Sequence, residues 1–552
     1  MKFFYSNLRA YNCTSIAVAI AAALLAGCGG SDPVVAVVPV PTPVSAYPSI
    51  QPPTTSLTPA ITPWSPNTVT AQQACDSLNG KAIGGATLVA ATVAAAGAVP
   101  TYCKVSGNIA PSLNFELRLP QSWNGKLHYG GGGGYNGSIP ALNLAALNSG
   151  YAGVSSDSGH QGGNAFSADF ALYDANAAQL FGSLSTPTVM SSAVELIKAA
   201  YGATPSRSYF EGCSNGGREA LMNVQRYPNL FDGVIARAPA YNWVGLLGQF
   251  NRTALAVSAT GTSFTLPKTQ LLAKTVRDAC DGLDGIVDGV VSNKDACTPA
   301  VVNVAKLRCA GGSDLGDACL SDAQLAVVTS WTADSVLNGN STFRNAGWSL
   351  SGNEDDAGAW PAWVTGNGTV TKAYQYLFQD TTIKNYLARS PVADSLAYGP
   401  FDQNQNALYA LSALNDATQT NIRPFQNSGG KLLLWHGGND SALSNNATIE
   451  YYNNVKKGVG AASADAFMRL YIAPGVNHCS GGPGADSTAL LAALDSWVER
   501  GTAPSGLVAE KKDAAGATLF SRPLCEYPKY PRYTGPANDA NAAKLAASYT
   551  CS

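Results

Sequence analysis

Apolar positions in this chain gather into short runs whose period changes along its length. Tyr102 to Val105, Asn114 to Leu119, Lys126 to Tyr129 and Ala152 to Ser155 read as strands. Ser191 to Tyr201 switches to helical spacing, with Ala193, Leu196, Ile197 and Ala200 on one face. Ser208 to Phe210 reads as a strand, Arg218 to about Arg226 as a helix, and Gly233 to Ala236 as the next strand. After Pro239 the pattern breaks. From Tyr241 to Asn421 the apolar runs are interrupted, and Trp331, Trp348, Trp360 and Trp363 are scattered among Asn-Gly turns. Regular alternation resumes with a strand from Lys431, a helix over Ile449 to Lys457 and a strand over Met468 to Ile472. This β-α-β order predicts an α/β body with a mainly parallel sheet. The body spans 67–240 and 422–552, and residues 241–421 form an inserted lid.

The first residues stand apart. Lys2 and Arg9 precede an apolar run from Ile16 to Leu25, which has the form of a signal peptide over residues 1–27. The run is too short to span a membrane as a helix. Leu25-Ala26-Gly27-Cys28 resembles a lipobox, which implies a bacterial lipoprotein acylated on Cys28. The alternative is an ordinary signal peptide, cut nearby, that leaves a free secreted protein. Residues 28–66 hold the anchor cysteine and a Pro-, Val-, Ser- and Thr-rich tether. Any membrane attachment is therefore expected through the lipid alone.

Charge excludes one class of partner. Lys and Arg number 34 against 36 Asp and Glu, with no basic patch, so nucleic acid is not expected. The chain is expected to act as a monomer on a small molecule. Of 12 cysteines, Cys13 goes with the signal and Cys28 carries lipid. An even set remains, as suits a chain that leaves the reducing cytosol. Sequence does not fix the pairing, but nearness points to Cys75–Cys103, Cys280–Cys297, Cys309–Cys319 and Cys525–Cys551, with Cys213 and Cys479 left over.

The chemistry centres on Gly212-Cys213-Ser214-Asn215-Gly216, which follows a strand and opens a helix. That is the nucleophile-elbow pattern, in which a tight turn exposes the serine hydroxyl. The N–H of Asn215 would then point at a developing oxyanion. Earlier, a strand feeds Gly130-Gly131-Gly132-Gly133-Gly134, a loop whose backbone can approach a substrate closely. There is no Gly-Lys-Ser/Thr to complete a phosphate-binding loop. Asp440 and His478 each lie just past a late strand, giving the order Ser, Asp, His of α/β-hydrolases. His436 precedes Asp440 and breaks that order as a rival base, His160 reads as a loop histidine, and His128 as a structural one.

Within the lid lies Cys280-Asp281-Gly282-Leu283-Asp284-Gly285-Ile286-Val287-Asp288-Gly289-Val290. Carboxylates of Asp281, Asp284 and Asp288, with backbone oxygens of Ile286 and Val290, suit Ca2+ in a structural role. The other reading is an acidic turn held by the disulfide of Cys280. No organic cofactor is expected.

Cys213-Ser214, Asp440 and His478-Cys479 together resemble the paired-cysteine triad of the tannase/feruloyl esterase family. The resemblance covers nearly all of the chain after the tether. It implies an α/β-hydrolase fold with a large inserted lid, calcium in that lid, and a Cys213–Cys479 disulfide tying elbow to histidine loop. It also implies oxyanion donors at Gly134 and Asn215, and hydrolysis of aromatic carboxylic esters such as feruloyl, galloyl or hydroxyethyl terephthalate esters. Arg344, Lys372 and Arg389 are the lid cations available to grip a substrate carboxylate. Competing readings are an inactive lipoprotein that binds aromatic ligands, which a complete triad opposes, and a calcium-dependent surface module, which leaves the elbow unexplained.

Overall fold

The computed structural model describes residues 69–141, 143–162, 164–397 and 405–552. The expected signal peptide, Cys28 and the tether lie outside the described residues. Ten strands form the main sheet: β1 (Ala82–Ile83), β2 (Ala86–Val93), β3 (Tyr102–Ile109), β4 (Leu113–Pro120), β5 (Lys126–Gly130), β6 (Ala152–Ser156), β7 (Arg207–Ser214), β8 (Gly233–Pro239), β9 (Lys431–Gly437) and β10 (Met468–Ala473). Their order is β1-β2-β3-β4-β6-β5-β7-β8-β9-β10.

The expectation of a mainly parallel sheet needs correcting for one half. From β6 through β5, β7, β8 and β9 to β10 every pairing is parallel. From β1 to β4, and where β4 meets β6, every pairing is antiparallel. The cause is connection length. Only Ala110 to Ser112 separates β3 from β4, and a parallel pair needs a crossover of a dozen or more residues. Strand β2 escaped the sequence reading because two of its three buried positions, Ala86 and Ala90, are alanines, with only Leu88 between them to mark the period.

The parallel strands are buried on both faces, so they read as continuous apolar runs. In β9, Leu432 and Leu434 join one core while Leu433 and Trp435 join the other. The first core lies under α1 (Ala71–Leu78), α2 (Ser185–Tyr201) and α3 (Asn215–Arg226), and the second under the C-terminal helix Leu490–Arg500, which adds Leu490, Leu494 and Trp497.

A further cluster is built from the segment between β8 and β9. Its first helix, α4 (Trp243–Ser258), packs Trp243, Leu246, Leu247 and Phe250 together with Trp331, Trp348 and Trp360. Tyr135, from the glycine-rich loop, joins it and meets the Trp243 ring edge-on at 5.3 Å. The N-cap residue Asn242 makes no capping bond to α4. Asp416 acts in its place from far along the chain. Its Oδ1 accepts the Val244 N–H at 3.0 Å and its Oδ2 the Ser412 hydroxyl at 2.6 Å. A carboxylate near the helix N-terminus satisfies an orphan donor and meets the positive end of the dipole.

Burial pushes the Asp416 carboxyl from its ordinary 3.8 up to about 6, against the pull of those bonds and of Arg218 and Arg226. A group raised in the folded state contributes stability that is full below its unfolded pKa and is lost as pH rises through the folded one. Between about pH 4 and pH 6 the wild-type chain should therefore lose on the order of 2–3 kcal/mol through this residue. Asp416→Asn can keep the Val244 bond on its amide oxygen and donate to the Ser412 hydroxyl in place of accepting from it, and should remove that slope. Denaturant unfolding at pH 4, 5, 6 and 7 checks it; parallel curves for the two proteins would contradict the assignment.

Candidate active site

Strand β7 ends in the elbow. Ser214 sits at φ 64° and ψ −120°, a conformation that costs a non-glycine residue roughly 1–3 kcal/mol. Its surroundings enforce it. A Cβ on Gly212 would lie 2.5 Å from the backbone of Gly216, and one on Gly216 would lie 2.9 Å from the carbonyl oxygen of Gly132. Helix α3 begins directly at Asn215, three residues before the periodic run read from sequence, because Gly216 and Gly217 hide its first turn. Asn215 thus stands in a first turn, whose N–H groups have no intrahelical acceptor.

The glycine loop after β5 wraps against this turn. Gly131 donates its N–H to the Glu211 carbonyl, Gly132 to Glu219 Oε2 at 3.1 Å, Tyr135 to the Ala165 carbonyl, and Asn136 to the Gly133 carbonyl. The N–H of Gly134 has no protein acceptor among the described residues. Gly134 holds φ 56°, and a Cβ there would lie 2.3 Å from the Ala165 oxygen. A buried polar ring fixes the loop to the elbow. Asn215 Nδ2 donates to Asn136 Oδ1 and to Glu219 Oε1, both at 3.2 Å, and Asn136 Nδ2 donates to Ser158 Oγ at 2.6 Å. Burial raises the Glu219 carboxyl; neighbouring Arg218 and the Gly132 N–H act the other way.

Asp440 follows β9 and His478 follows β10. Their strands pair in register, Gly437 opposite Ala473, so both turns leave the sheet at one level. His478 Nδ1 lies 2.8 Å from Asp440 Oδ2. The other oxygen, Oδ1, accepts the N–H groups of Ala442 at 2.8 Å and Leu443 at 2.9 Å. Burial alone would raise the Asp440 carboxyl, but His478 and His436 hold it well below the usual range. Among the described residues the cysteines form five bonds: Cys75–Cys103, Cys213–Cys479, Cys280–Cys297, Cys309–Cys319 and Cys525–Cys551. The second joins the residue before Ser214 to the residue after His478, with Cα atoms 6.0 Å apart.

Ser214, Gly134 and Asn215 share a pocket with Trp243, Leu246, Leu247, Phe250, Trp363 and Phe378. The Trp363 ring also stands edge-on to the His478 imidazole at 5.1 Å. Sequence reasoning missed these walls. Trp363 was visible only as one tryptophan among several, Phe378 carries no local signal, and the helical spacing of Trp243, Leu246, Leu247 and Phe250 marks a buried face but no pocket.

Other expected residues fall elsewhere. His160 is buried and stacked 3.6 Å from the Phe170 ring, and His128 Nε2 lies 3.5 Å from Glu211. Two of the three candidate cations are engaged: Arg344 pairs with Asp334 and Glu450, and Arg389 donates to the carbonyls of Ala171, Leu172 and Asn385. Lys372 is exposed. In the acidic loop Asp281 and Asp284 are buried, and burial raises both carboxyls, Asp284 to about 6. Asp281 accepts the N–H groups of Asp288 and Gly289, Asp284 that of Ile286, and Asp288 that of Val290 while also pairing with Arg522 at 2.7 Å. Among the described residues no three His, Cys, Asp or Glu side chains converge as metal ligands. The donors at hand are all oxygens, the chemistry a hard cation takes, and two of them are buried carboxylates without a cationic side chain bonded to them.

Comparison with known proteins bears on the whole body. A family model described as tannase and feruloyl esterase matches residues 96–552. Mono(2-hydroxyethyl) terephthalate hydrolase of Piscinibacter sakaiensis is 32% identical over 526 residues, covering 83% of this chain and 86% of its own. Feruloyl esterase B of Aspergillus niger is 29% identical over 479 residues, covering 81% and 86%. Among solved structures, feruloyl esterase B from Aspergillus oryzae superposes with a TM-score of 0.74 at 24% identity, covering 88% of this chain and 100% of that one. Tannin acyl hydrolase from Aspergillus niger gives 0.67 at 20% identity, covering 88% and 96%. At these identities the two structures show a shared fold.

The Cys213–Cys479 bond generates a prediction. It closes a loop of 266 residues, for which chain entropy gives roughly 5 kcal/mol, less any strain. The Cys213→Ser, Cys479→Ser double variant should lower the unfolding midpoint and reduce turnover at least about tenfold, because the histidine loop loses its fixed distance from the elbow. Unaltered turnover in a destabilised variant would show that the bond serves the fold alone.

Proposed function

Because the chain belongs to the tannase and feruloyl esterase family of carboxylic ester hydrolases, we propose that it cleaves aromatic esters by acyl transfer through Ser214, His478 and Asp440. The observation that carries this reading is the 2.8 Å contact between His478 Nδ1 and Asp440 Oδ2, on a loop that the Cys213–Cys479 bond ties to the strained, elbow-borne Ser214. His478 takes the Ser214 proton on Nε2 as the oxygen attacks the ester carbonyl. Asp440 keeps the imidazole in the tautomer with a free Nε2 and stabilises the imidazolium. The N–H groups of Gly134 and Asn215 receive the oxyanion. Collapse of the tetrahedral intermediate expels the alcohol, which takes the proton from His478. Water then attacks the acyl-enzyme with His478 again as base, and the free acid leaves.

The substrate reading is an aromatic acyl group held by the Trp243, Phe250, Trp363 and Phe378 rings. Feruloyl, galloyl and mono(2-hydroxyethyl) terephthalate esters are the candidates; the relatives' names support the first and the last. We also propose export, which the five disulfides support, with Cys28 as the lipid anchor.

The test of the chemistry is Ser214→Ala assayed on methyl ferulate, methyl gallate and mono(2-hydroxyethyl) terephthalate. Turnover should fall by about three orders of magnitude or more on every ester the wild type cleaves, with the unfolding midpoint retained. Near-normal activity in that variant would remove Ser214 from the mechanism.

For the acidic loop we propose a structural Ca2+ held by Asp281, Asp284 and Asp288 with the backbone oxygens of Ile286 and Val290. Its charge would offset the mutual repulsion of the carboxylates and fix the loop. Elemental analysis should find about one calcium per chain, and chelation should lower the unfolding midpoint by a few degrees. Calcium-free protein whose midpoint does not respond to added metal would remove the site.

A further inference from the structure

His436 was set aside as a rival base, and the geometry gives it other work. It is fully buried at the end of β9, beneath the turn that carries Asp440. Its Nε2 lies 3.1 Å from Asp440 Oδ2 and 3.1 Å from the Leu443 carbonyl oxygen. Both of those oxygens only accept, so Nε2 carries the hydrogen. Its Nδ1 lies 2.8 Å from Thr448 Oγ, which can donate. In the neutral ring the single Nε2 hydrogen is divided between the Leu443 carbonyl, to which it bonds, and Asp440 Oδ2, while Nδ1 accepts from Thr448. Thr448 lies in the first turn of the helix Asn445–Val459, so one ring joins the strand end, the aspartate turn and that helix.

We propose that His436 is a positioning residue for the hydrolysis, holding the Asp440 carboxylate so that Oδ2 faces His478. The inference rests on the triad reading above. Asp440 Oδ1 is fixed by the Ala442 and Leu443 N–H groups, and Oδ2 is shared between the two imidazoles. Without His436, Oδ2 has only His478 as a side-chain donor. The group that must orient the base would then be oriented by the base, and the misalignment would be felt in the transition state, when His478 becomes charged. Of the partners of these two residues only Leu443 lines the pocket, and it bonds to them through its backbone, so the loss belongs mainly in kcat.

The experiment compares three variants on an aromatic ester that the wild type cleaves. His436→Phe keeps the ring volume and removes both hydrogen-bonding atoms. It should lower kcat by about 10- to 100-fold with KM within about twofold. His436→Gln can donate near the Nε2 position and accept from Thr448, and should recover kcat to within about fivefold of wild type. Thr448→Val, which leaves His436 in place but removes its tautomer lock, should lower kcat several-fold at unchanged KM, and it carries the test where His436→Phe fails to fold. Wild-type kcat in His436→Phe or in Thr448→Val, equal losses in the Phe and Gln variants, or a KM that rises in step with the lost kcat would each overturn the proposal. Activity surviving in Ser214→Ala would instead fail the triad reading, whatever the His436 variants do.

Discussion

The distance between two loops governs this site. Ser214 stands on a turn whose shape is set by backbone contacts, with glycines where a Cβ would collide. His478 stands on a loop beyond β10 that is also shaped by close backbone contacts, with Gly482 and Gly484 where a Cβ would meet the carbonyl oxygens of Gly475 and Pro474. The Cys213–Cys479 bond ties them covalently. Acyl transfer requires the hydroxyl and imidazole within hydrogen-bond reach, and a misplacement of about 1 Å can cost two orders of magnitude. A long insertion between β8 and β9 is compatible with this because loop-closure entropy grows only logarithmically with length. The sheet carries the rest of the alignment, since β9 and β10 run in register and present the Asp440 and His478 turns at the same edge.

The oxyanion side is stiffened differently, by buried polar groups. Glu219, Asn215, Asn136 and Ser158 are all buried and hydrogen-bonded to one another. Removing any one of them would leave a desolvated group without its partner, a cost of about 1–3 kcal/mol. Arg218, fully buried beneath them, donates to Asn215 Oδ1 and to the carbonyls of Gly182, Asn415 and Phe181. Burial lowers its pKa to about 10, which leaves it charged at neutral pH. Its guanidinium lies 4.8 Å from the Phe181 ring centre and 5.2 Å from that of Trp243. One cation thus braces the elbow helix and a wall of the pocket.

What the sequence disclosed follows from how local each constraint is. Gly212 and Gly216 were legible because the elbow is a short-range steric problem that few residues solve. Asp440 and His478 were legible because each follows an apolar strand in an order with few meanings. Four disulfides join cysteines close in sequence, and nearness found them. The antiparallel strands were less legible, because Ala86 and Ala90 bury little surface and so mark the period weakly. The pocket walls were only partly legible. Trp243, Leu246, Leu247 and Phe250 keep helical spacing on one face of α4, but Trp363 and Phe378 come from other segments of the insertion, and no spacing rule links them to that face. His436 was rightly passed over as the base from chain order, but nothing local disclosed its contacts with Thr448 and Leu443.

Chemistry and recognition are therefore assigned to different parts of the chain. The groups proposed to react and to receive the oxyanion come from the ends of β5, β7, β9 and β10, where the sheet fixes them. Most of the pocket wall comes from the insertion, and four of its cations are spent on its structure. Arg344 is held by two carboxylates, Arg389 by three carbonyls, and Arg252 and Lys268 by carbonyls of their own surroundings. The side chains that share the pocket with Ser214 carry no charge. Binding there must draw on apolar area and ring packing, which scale with the surface removed from water. Helix α4 supplies Trp243, Leu246, Leu247 and Phe250 to that wall, and Asp416 holds its first turn. A change in the insertion can thus reshape what the pocket accepts while the sheet keeps the reacting groups in place.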